Sequence, residues 1–242
     1  MDWGVIGRNL PYLLAGLGWE GLLGTLRLAL PAMGLGFCLG VVAGVARLAR
    51  TPWVHTPAVL YVELVRGVPL VMVIFWFYFF VPILAGRPLS NYWSALIAFV
   101  VFEGAYLGEI VRAGIQSVPR GQLDAAAATG LSGWQTMRHI VLPQALRNMV
   151  PSLVTQFIVL FKDTSLASII GFVDLTKAAQ NISQREIRPF EMYLFIAVVY
   201  WLCTFTLSRL GRRLEVHLSR GLAPAPERAA PAGGPRVQGR AW

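Results

Sequence analysis

Long runs of apolar residues alternate with short polar intervals along the chain, and the runs exceed what a half-buried element of a water-soluble domain would need. Four of them, residues 21–46, 68–85, 92–111 and 192–208, have about the length a helix requires to cross a bilayer core, roughly 20 residues. A fifth, residues 148–171, is interrupted only by Lys162 and Asp163. The pattern predicts an all-α integral membrane chain with five transmembrane helices. Gly36, Gly40 and Gly44 in the first run, and Gly104 and Gly108 in the third, fall on repeated four-residue spacings that let helices approach closely. Pro69, Pro82 and Pro151 mark expected kinks or span ends.

The longest polar interval, GQLDAAAATGLSGWQTMRHIVLP over residues 121–143, reads as two short helices around a glycine turn. Residues 122–129 form an alanine-rich helix with Asp124 in its first turn, where a carboxylate meets free N–H groups, and Gly130 supplies the stop. Ser132 to Gln135 has capping-box spacing, and the second helix is expected to run through Trp134, Met137 and His139 until Leu142-Pro143 ends it.

Composition agrees with the pattern: 56% of the 242 residues are hydrophobic and only 14% are charged, with a mean hydropathy of +0.59. Soluble domains carry roughly 25% charged residues. Lys and Arg then orient the chain. With the N-terminus outside, five cations (Arg8, Arg87, Lys177, Arg185, Arg188) face out, and twelve, from Arg47 and Arg50 to the seven arginines beyond Leu207, face in. An outside N-terminus and a cytoplasmic C-terminus follow. The net charge of +9 is accounted for by this bias and by anionic lipid; the basic residues are too dispersed for a nucleic-acid surface.

Residues 1–20 read as an outer-face surface segment, not a cleavable signal, with Trp3, Tyr12 and Trp19 at headgroup level. Residues 219–242, rich in Pro, Ala, Gly and Arg, read as a disordered cytoplasmic tail. Cys38 and Cys203 lie within spans, and His55, His139 and His217 share no ligand spacing, so neither a disulfide nor a metal site is expected.

The motif Asp124-Ala125-Ala126, three residues, Gly130, nine residues, Ile140-Val-Leu142-Pro143 resembles the EAA loop of permease subunits of bacterial ABC importers. It departs from that pattern in one place, with Asp where Glu is usual. YVELVRGVP (61–69), FEGAYLGEIVRAGIQ (102–116) and FKDTSL (161–166) are similar to the polar amino acid branch, and most similar to glutamate/aspartate import permeases. The similarity spans about 22–218. It implies the type I importer permease fold over residues 21–218, with residues 117–146 as a cytoplasmic loop that docks a separate ATPase dimer through Gly121, Asp124, Ala125, Ala126, Gly130, Ile140, Leu142 and Pro143. It further implies a second permease subunit, an extracytoplasmic amino-acid-binding protein and residence in the bacterial inner membrane. The chain has no phosphate-binding G-x-x-x-x-G-K-[ST] loop, so ATP belongs to the partner, no cofactor is expected here, and no catalytic residues are assigned.

Ionisable residues inside spans are costly and mark candidate sites. Glu63 with Arg66 and Glu109 with Arg112 are i, i+3 neighbours and read as structural ion pairs. Glu103 lies 11 residues beyond Tyr92, about 16 Å along its helix, near the middle of the bilayer and without an opposite charge within a turn. Lys162 reaches an overlapping depth from the other side. Two readings stay open: an ion pair between Glu103 and Lys162, or contact of both with a zwitterionic substrate, with Arg27 as a second cation and Asp163, Thr164 and Ser165 as further ligands. Among rival functions, a secondary transporter would show repeats absent here, an intramembrane enzyme would need a nucleophile and acid–base set, and a passive channel is opposed only by the polar module.

Overall fold

The computed structural model describes residues 3–15 and 20–219, and among these no strand forms. Trp19 and the expected tail from residue 220 onward lie outside the described residues. A short helix α1 (Gly4–Leu14) precedes the first long helix α2 (Gly21–Ala46). Helix α3 (Pro52–Arg66) is followed by α4 (Leu70–Phe75), a π-turn (Trp76–Phe80) and α5 (Val81–Ala85). The second long helix is α6 (Asn91–Gln116). Then come α7 (Arg120–Ala128), α8 (Gly133–Thr136), a second π-turn (Met137–Val141) and α9 (Leu142–Asp163), which tightens into a 3₁₀ stretch (Thr164–Ile170). Helices α10 (Leu175–Glu186) and α11 (Pro189–Ser219) complete the fold.

Four helical segments are long and apolar enough to cross a membrane, Gly21–Ala46, Asn91–Gln116, Gly133–Ile170 and Pro189–His217, and the pair Pro52–Arg66 and Leu70–Ala85 makes a fifth as a broken span bent by 106°. The expected straight span over residues 68–85 is therefore only the second limb of that pair. Pro69 causes the break: its ring disfavours helical backbone at Val68, and Pro69 itself is extended (ψ 140°) as the N-cap of α4.

Helix α6 is the centre, with 67% of its apolar window buried against 17% for the span in α11. Its main partner is α2, and the contact is backbone against backbone. A methyl group added at Gly40 would sit 2.7 Å from Leu107 Cβ and 2.9 Å from the Gly108 nitrogen, and one at Gly36 would sit 3.0 Å from Glu103 Cβ. The glycine spacings thus serve the close packing expected of them. Phe99, Leu28, Ile74 and Leu160, all fully buried, bring α2, α4, α6 and α9 into one core.

Two prolines inside apolar segments are accommodated in the same way. Val81 and Leu142 donate their N–H groups five residues back, to Trp76 and Met137, and Pro82 and Pro143 follow immediately. The wide π-turn relieves the clash of a proline ring with the carbonyl four residues earlier. As a result Leu142-Pro143 does not end the second helix of the polar module, contrary to the sequence expectation. The helix continues into α9, where Pro143 occupies its first turn. Pro151 is likewise carried inside α9.

At the opposite end Asp174 joins three helices. Its carboxylate caps α10 by accepting the N–H groups of Thr176 (3.1 Å) and Lys177 (2.9 Å), and it accepts the Tyr200 hydroxyl of α11 at 3.2 Å. Beside it the Leu175 N–H donates to Thr25 of α2. Helix α1 is tied to α10 through Arg185 to Asn9 and Asn181 to the Tyr12 hydroxyl.

Two outcomes are expected. Gly40→Ala should destabilise the purified protein by about 1–3 kcal/mol through overpacking, whereas Gly34→Ala, at a site with no neighbour within 4 Å, should leave thermal unfolding unchanged. Burial raises Asp174, which lies between spans, to about 6, although its three donors oppose the shift. Its unfolded value is about 4, so the folded state binds more protons between these values, and stability from this group falls as pH rises from about 4 to about 6. Asp174→Asn, which still caps, should flatten that part of the unfolding profile; an unchanged profile would place the dependence elsewhere.

Candidate translocation path and coupling module

The polar module folds as a helix, a glycine turn and a second helix. Helix α7 begins at Arg120, two residues earlier than the sequence pattern implied, so Asp124 lies just past the first turn. Gly130 adopts φ +76°, and its N–H and that of Leu131 bond back to the carbonyls of Ala127 and Ala126. This is the paired closure of a helix that ends in a left-handed residue. Ser132 and Gln135 form a reciprocal capping box, the Ser132 N–H donating to Gln135 at 2.8 Å and the Gln135 N–H to Ser132 at 3.3 Å. Gly121, Asp124 and Ala125 are exposed and Ala126 is buried; Ile140 is half-buried, and Leu142 and Pro143 are exposed. Leu123, Trp134 (71% exposed), Met137 and Leu142 leave the module with an apolar surface of the kind that binds another protein.

From the module, α9 carries a polar face up through the membrane. Asn148, Ser152, Thr155 and Lys162 are exposed and Gln156 and Asp163 half-buried, at spacings that keep them on one side of a helix. Of this face, Lys162 and Asp163 stand out in the sequence by their charge. The others are legible as polar residues at 3.6-residue intervals in an apolar run.

Gln156 meets Glu103. The Gln156 amide donates to Glu103 Oε2 at 2.9 Å, and Glu103 is fully buried, its Oε1 without a partner among the described residues. Lys162 makes no ion pair with Glu103 among the described residues, so the neutral glutamine takes the place expected for the lysine. Thr164 is buried with its hydroxyl donating to its own backbone, at Phe161 O (2.7 Å), and Ser165 is half-buried beside it. Arg27 stands apart. Its guanidinium lies 4.6 Å from the ring centroid of Tyr92, at the start of α6, which is about 16 Å along that helix from Glu103.

Below Glu103, Glu109 gathers three cations. Arg47 of α2 and Arg112 of α6 donate to its carboxylate, and Arg66 of α3 lies 3.9 Å away while its guanidinium covers the Tyr106 ring at 5.1 Å. The pairing of Glu109 with Arg112 is present. Glu63 and Arg66 form no ion pair among the described residues; Arg66 is drawn instead to Glu109 and the Tyr106 ring of α6. A cleft of about 270 Å³ opens here between α6 and α9, lined by Glu109, Gly114, Ser117, Asn148, Met149 and Ser152. Among the described residues no group of acidic, histidine or cysteine side chains could hold a metal ion.

A broken span, a protruding helical module with an apolar surface, and a polar face within the membrane define a multi-pass transport subunit. Residues 36–220 match the model of the binding-protein-dependent transport system inner membrane component, and the chain belongs to that family. It is 43% identical over 221 residues to the glutamate/aspartate import permease protein GltK of Escherichia coli O157:H7, covering 88% of this chain and 96% of that one. It is 41% identical over 201 residues to the probable glutamine ABC transporter permease protein GlnP of Bacillus subtilis, covering 82% and 92%. Its fold matches a crystal structure of an amino acid ABC transporter with histidines at a TM-score of 0.84 and 31% identity, covering 90% and 99% of the two chains. The chain is thus an amino-acid ABC importer permease of the inner membrane and not itself an enzyme, which sets aside the secondary-transporter, enzyme and channel readings.

Proposed function

We propose that this permease carries acidic amino acids, glutamate or aspartate, along the polar face of α9. One observation carries the reading: Ser152, Thr155 and Lys162 are exposed in a segment apolar enough to span a membrane, beside a buried carboxylate with an open oxygen. Facing lipid, such a face is unfavourable by several kcal/mol for the lysine alone. Facing a water-lined passage closed by a second permease subunit, it is stable and useful. Glu103 and Asp163 would receive the substrate ammonium, and Lys162 a carboxylate, with Thr164 and Ser165 nearby. Arg27, at the far end of α2, would attract the anion at the entrance and not hold it beside Glu103.

In this reading residues 1–20 lie on the outer face beside an extracytoplasmic amino-acid-binding protein, residues 21–218 form the permease domain, and residues 219–242 extend into the cytoplasm. The N-terminus is outside. The loop 117–146 docks in the cytoplasm on an ATPase dimer, which holds the ATP; the permease needs no cofactor of its own. A second reading, glutamine, is favoured by the similarity to the probable glutamine permease and by the Gln156–Glu103 pair, which suits an amide as well as an ammonium.

Competition experiments in proteoliposomes separate the two. A charge-assisted contact contributes about 1.5–3 kcal/mol, so Lys162→Ala should raise KM for glutamate on the order of 10- to 100-fold while glutamine uptake, if any, changes little. Equal effects on both substrates would remove Lys162 from side-chain recognition. For the coupling module, Gly130→Val forces a β-branched residue into left-handed backbone although the site has open space around it. Membrane insertion should persist, and co-purification of the ATPase and transport-coupled hydrolysis should be lost; normal transport by this variant would defeat docking through the loop.

A further inference from the structure

The inner portion of α11 pairs an aromatic ladder with an unneutralised cationic stretch. Trp201 and Phe205 stack at 5.4 Å with an interplanar angle of 21°, and the Arg209 guanidinium covers the Phe205 ring at 4.8 Å. About one turn on, Arg212 and Arg213 are exposed. Among the described residues none of these three arginines makes an ion pair, and the neighbouring acid Glu215 is not joined to any of them. Their depth is set by helix length. At 1.5 Å per residue, a hydrocarbon core of about 30 Å that starts at Met192 ends near Arg212, so Arg212 and Arg213 lie at headgroup level, Arg209 about one turn inside, Phe205 about 10 Å inside and Trp201 about 16 Å inside, near the middle of the bilayer. Helix α11 is also the span least covered by the rest of the chain.

From this arrangement we infer that the α11 face Trp201–Phe205–Arg209–Arg212–Arg213 is a binding site for an anionic phospholipid, its phosphate held by the arginines and an acyl chain laid along the two rings. The layout matches the ligand at both ends. Guanidinium forks suit phosphate oxygens, and the stacked rings offer a flat apolar surface deeper along the same face, at the level of the middle of an acyl chain. The site does not depend on which amino acid is transported or on which way the chain is oriented.

The test uses the full-length permease purified with its partner subunits, exposed to mixed micelles of phosphatidylglycerol and phosphatidylcholine and then delipidated stepwise, with bound lipid read by native mass spectrometry. Wild type should retain phosphatidylglycerol over phosphatidylcholine. A basic residue near an anionic surface contributes about 1 kcal/mol, roughly fivefold, so the combined variant Arg209→Gln, Arg212→Gln, Arg213→Gln should lose retention on the order of 100-fold, while the triple lysine variant keeps most of it. Inorganic phosphate at equal concentration should not displace the lipid; displacement would mean that the site recognises free phosphate. Retention of both lipids alike, or no loss in the glutamine variant, would overturn the assignment. Loss of a co-purifying subunit with lipid retention intact would show that the arginines face a protein.

Discussion

Close approach of the α2 and α6 backbones is the constraint on which the rest of this structure depends. Lipid tails are as apolar as leucine, so helices in a membrane gain little from burying apolar surface and associate through contact and hydrogen bonds. Contact at this distance requires that side chains be absent, and Gly36, Gly40 and Gly44 supply the absence against Glu103, Leu107, Gly108 and Val111. The pairing leaves the other sides of α6 free to receive α3, α4 and α9. Gly104 is crowded by Leu39 of α2 and by the Tyr61 hydroxyl of α3, which donates to the Val101 carbonyl at 2.6 Å. A larger residue there would displace two helices at once.

The same pairing explains how the chain tolerates charge at depth. Gly36 leaves just enough room for Glu103, whose partner on α9 is a neutral amide. A fixed ion pair at that place would satisfy the carboxylate completely and leave it nothing to offer a ligand. Six residues further on, the opposite arrangement holds: Glu109 is saturated by Arg47 and Arg112, with Arg66 near, and joins the ends of α2, α3 and α6. Two carboxylates on one helix are thus set to different tasks by their neighbours, one closed and structural, the other half-open. Of the two i, i+3 pairs, Glu109 with Arg112 forms while Arg66 lies nearer Glu109 than Glu63, and of the two readings open for Lys162 the pair with Glu103 does not form among the described residues.

What the sequence made legible is what local chemistry dictates: apolar length, the glycine spacings, the Gly130 turn and the Ser132–Gln135 box. Three features were hidden for reasons that are physical. The bend after Arg66 looks like a loop between spans, because Gly67-Val68-Pro69 breaks the helix without revealing that α3 on its far side is itself helical and pairs with α4 as a single broken span. The π-turns before Pro82 and Pro143 are invisible, since a proline in an apolar run ordinarily signals an end. Helix α10 is too polar to stand out beside the spans, yet Asp174 at its N-cap followed by Leu-Thr-Lys is an ordinary start signal. The polar face of α9 was half legible; Lys162 and Asp163 drew notice as charges, while Asn148, Ser152, Thr155 and Gln156 required reading neutral residues by their spacing.

Continuity of the helix through Pro143 bears directly on how a permease of this kind transmits force. Had the second helix of the module ended there, a joint would separate the polar module from the span above it, and displacement of the module would be absorbed locally. Instead the helical path from Gly133 to Ile170 is unbroken through 38 residues, about 57 Å if straight at 1.5 Å per residue. Along it stand, in order, the capping box, the cleft beside Glu109, the amide that holds Glu103, and Lys162 with Asp163. A small rotation of the module about its own axis would therefore turn Gln156 and Lys162 relative to α6, which is packed backbone to backbone on α2. This rod departs from regular α geometry at its two ends, at the π-turn Met137–Val141 and in the 3₁₀ stretch Thr164–Ile170. The π-turn lies within the polar module, ahead of the apolar part of α9, where a change between π and α winding would shift every residue beyond it by roughly 100° of helical rotation, the angle of one residue.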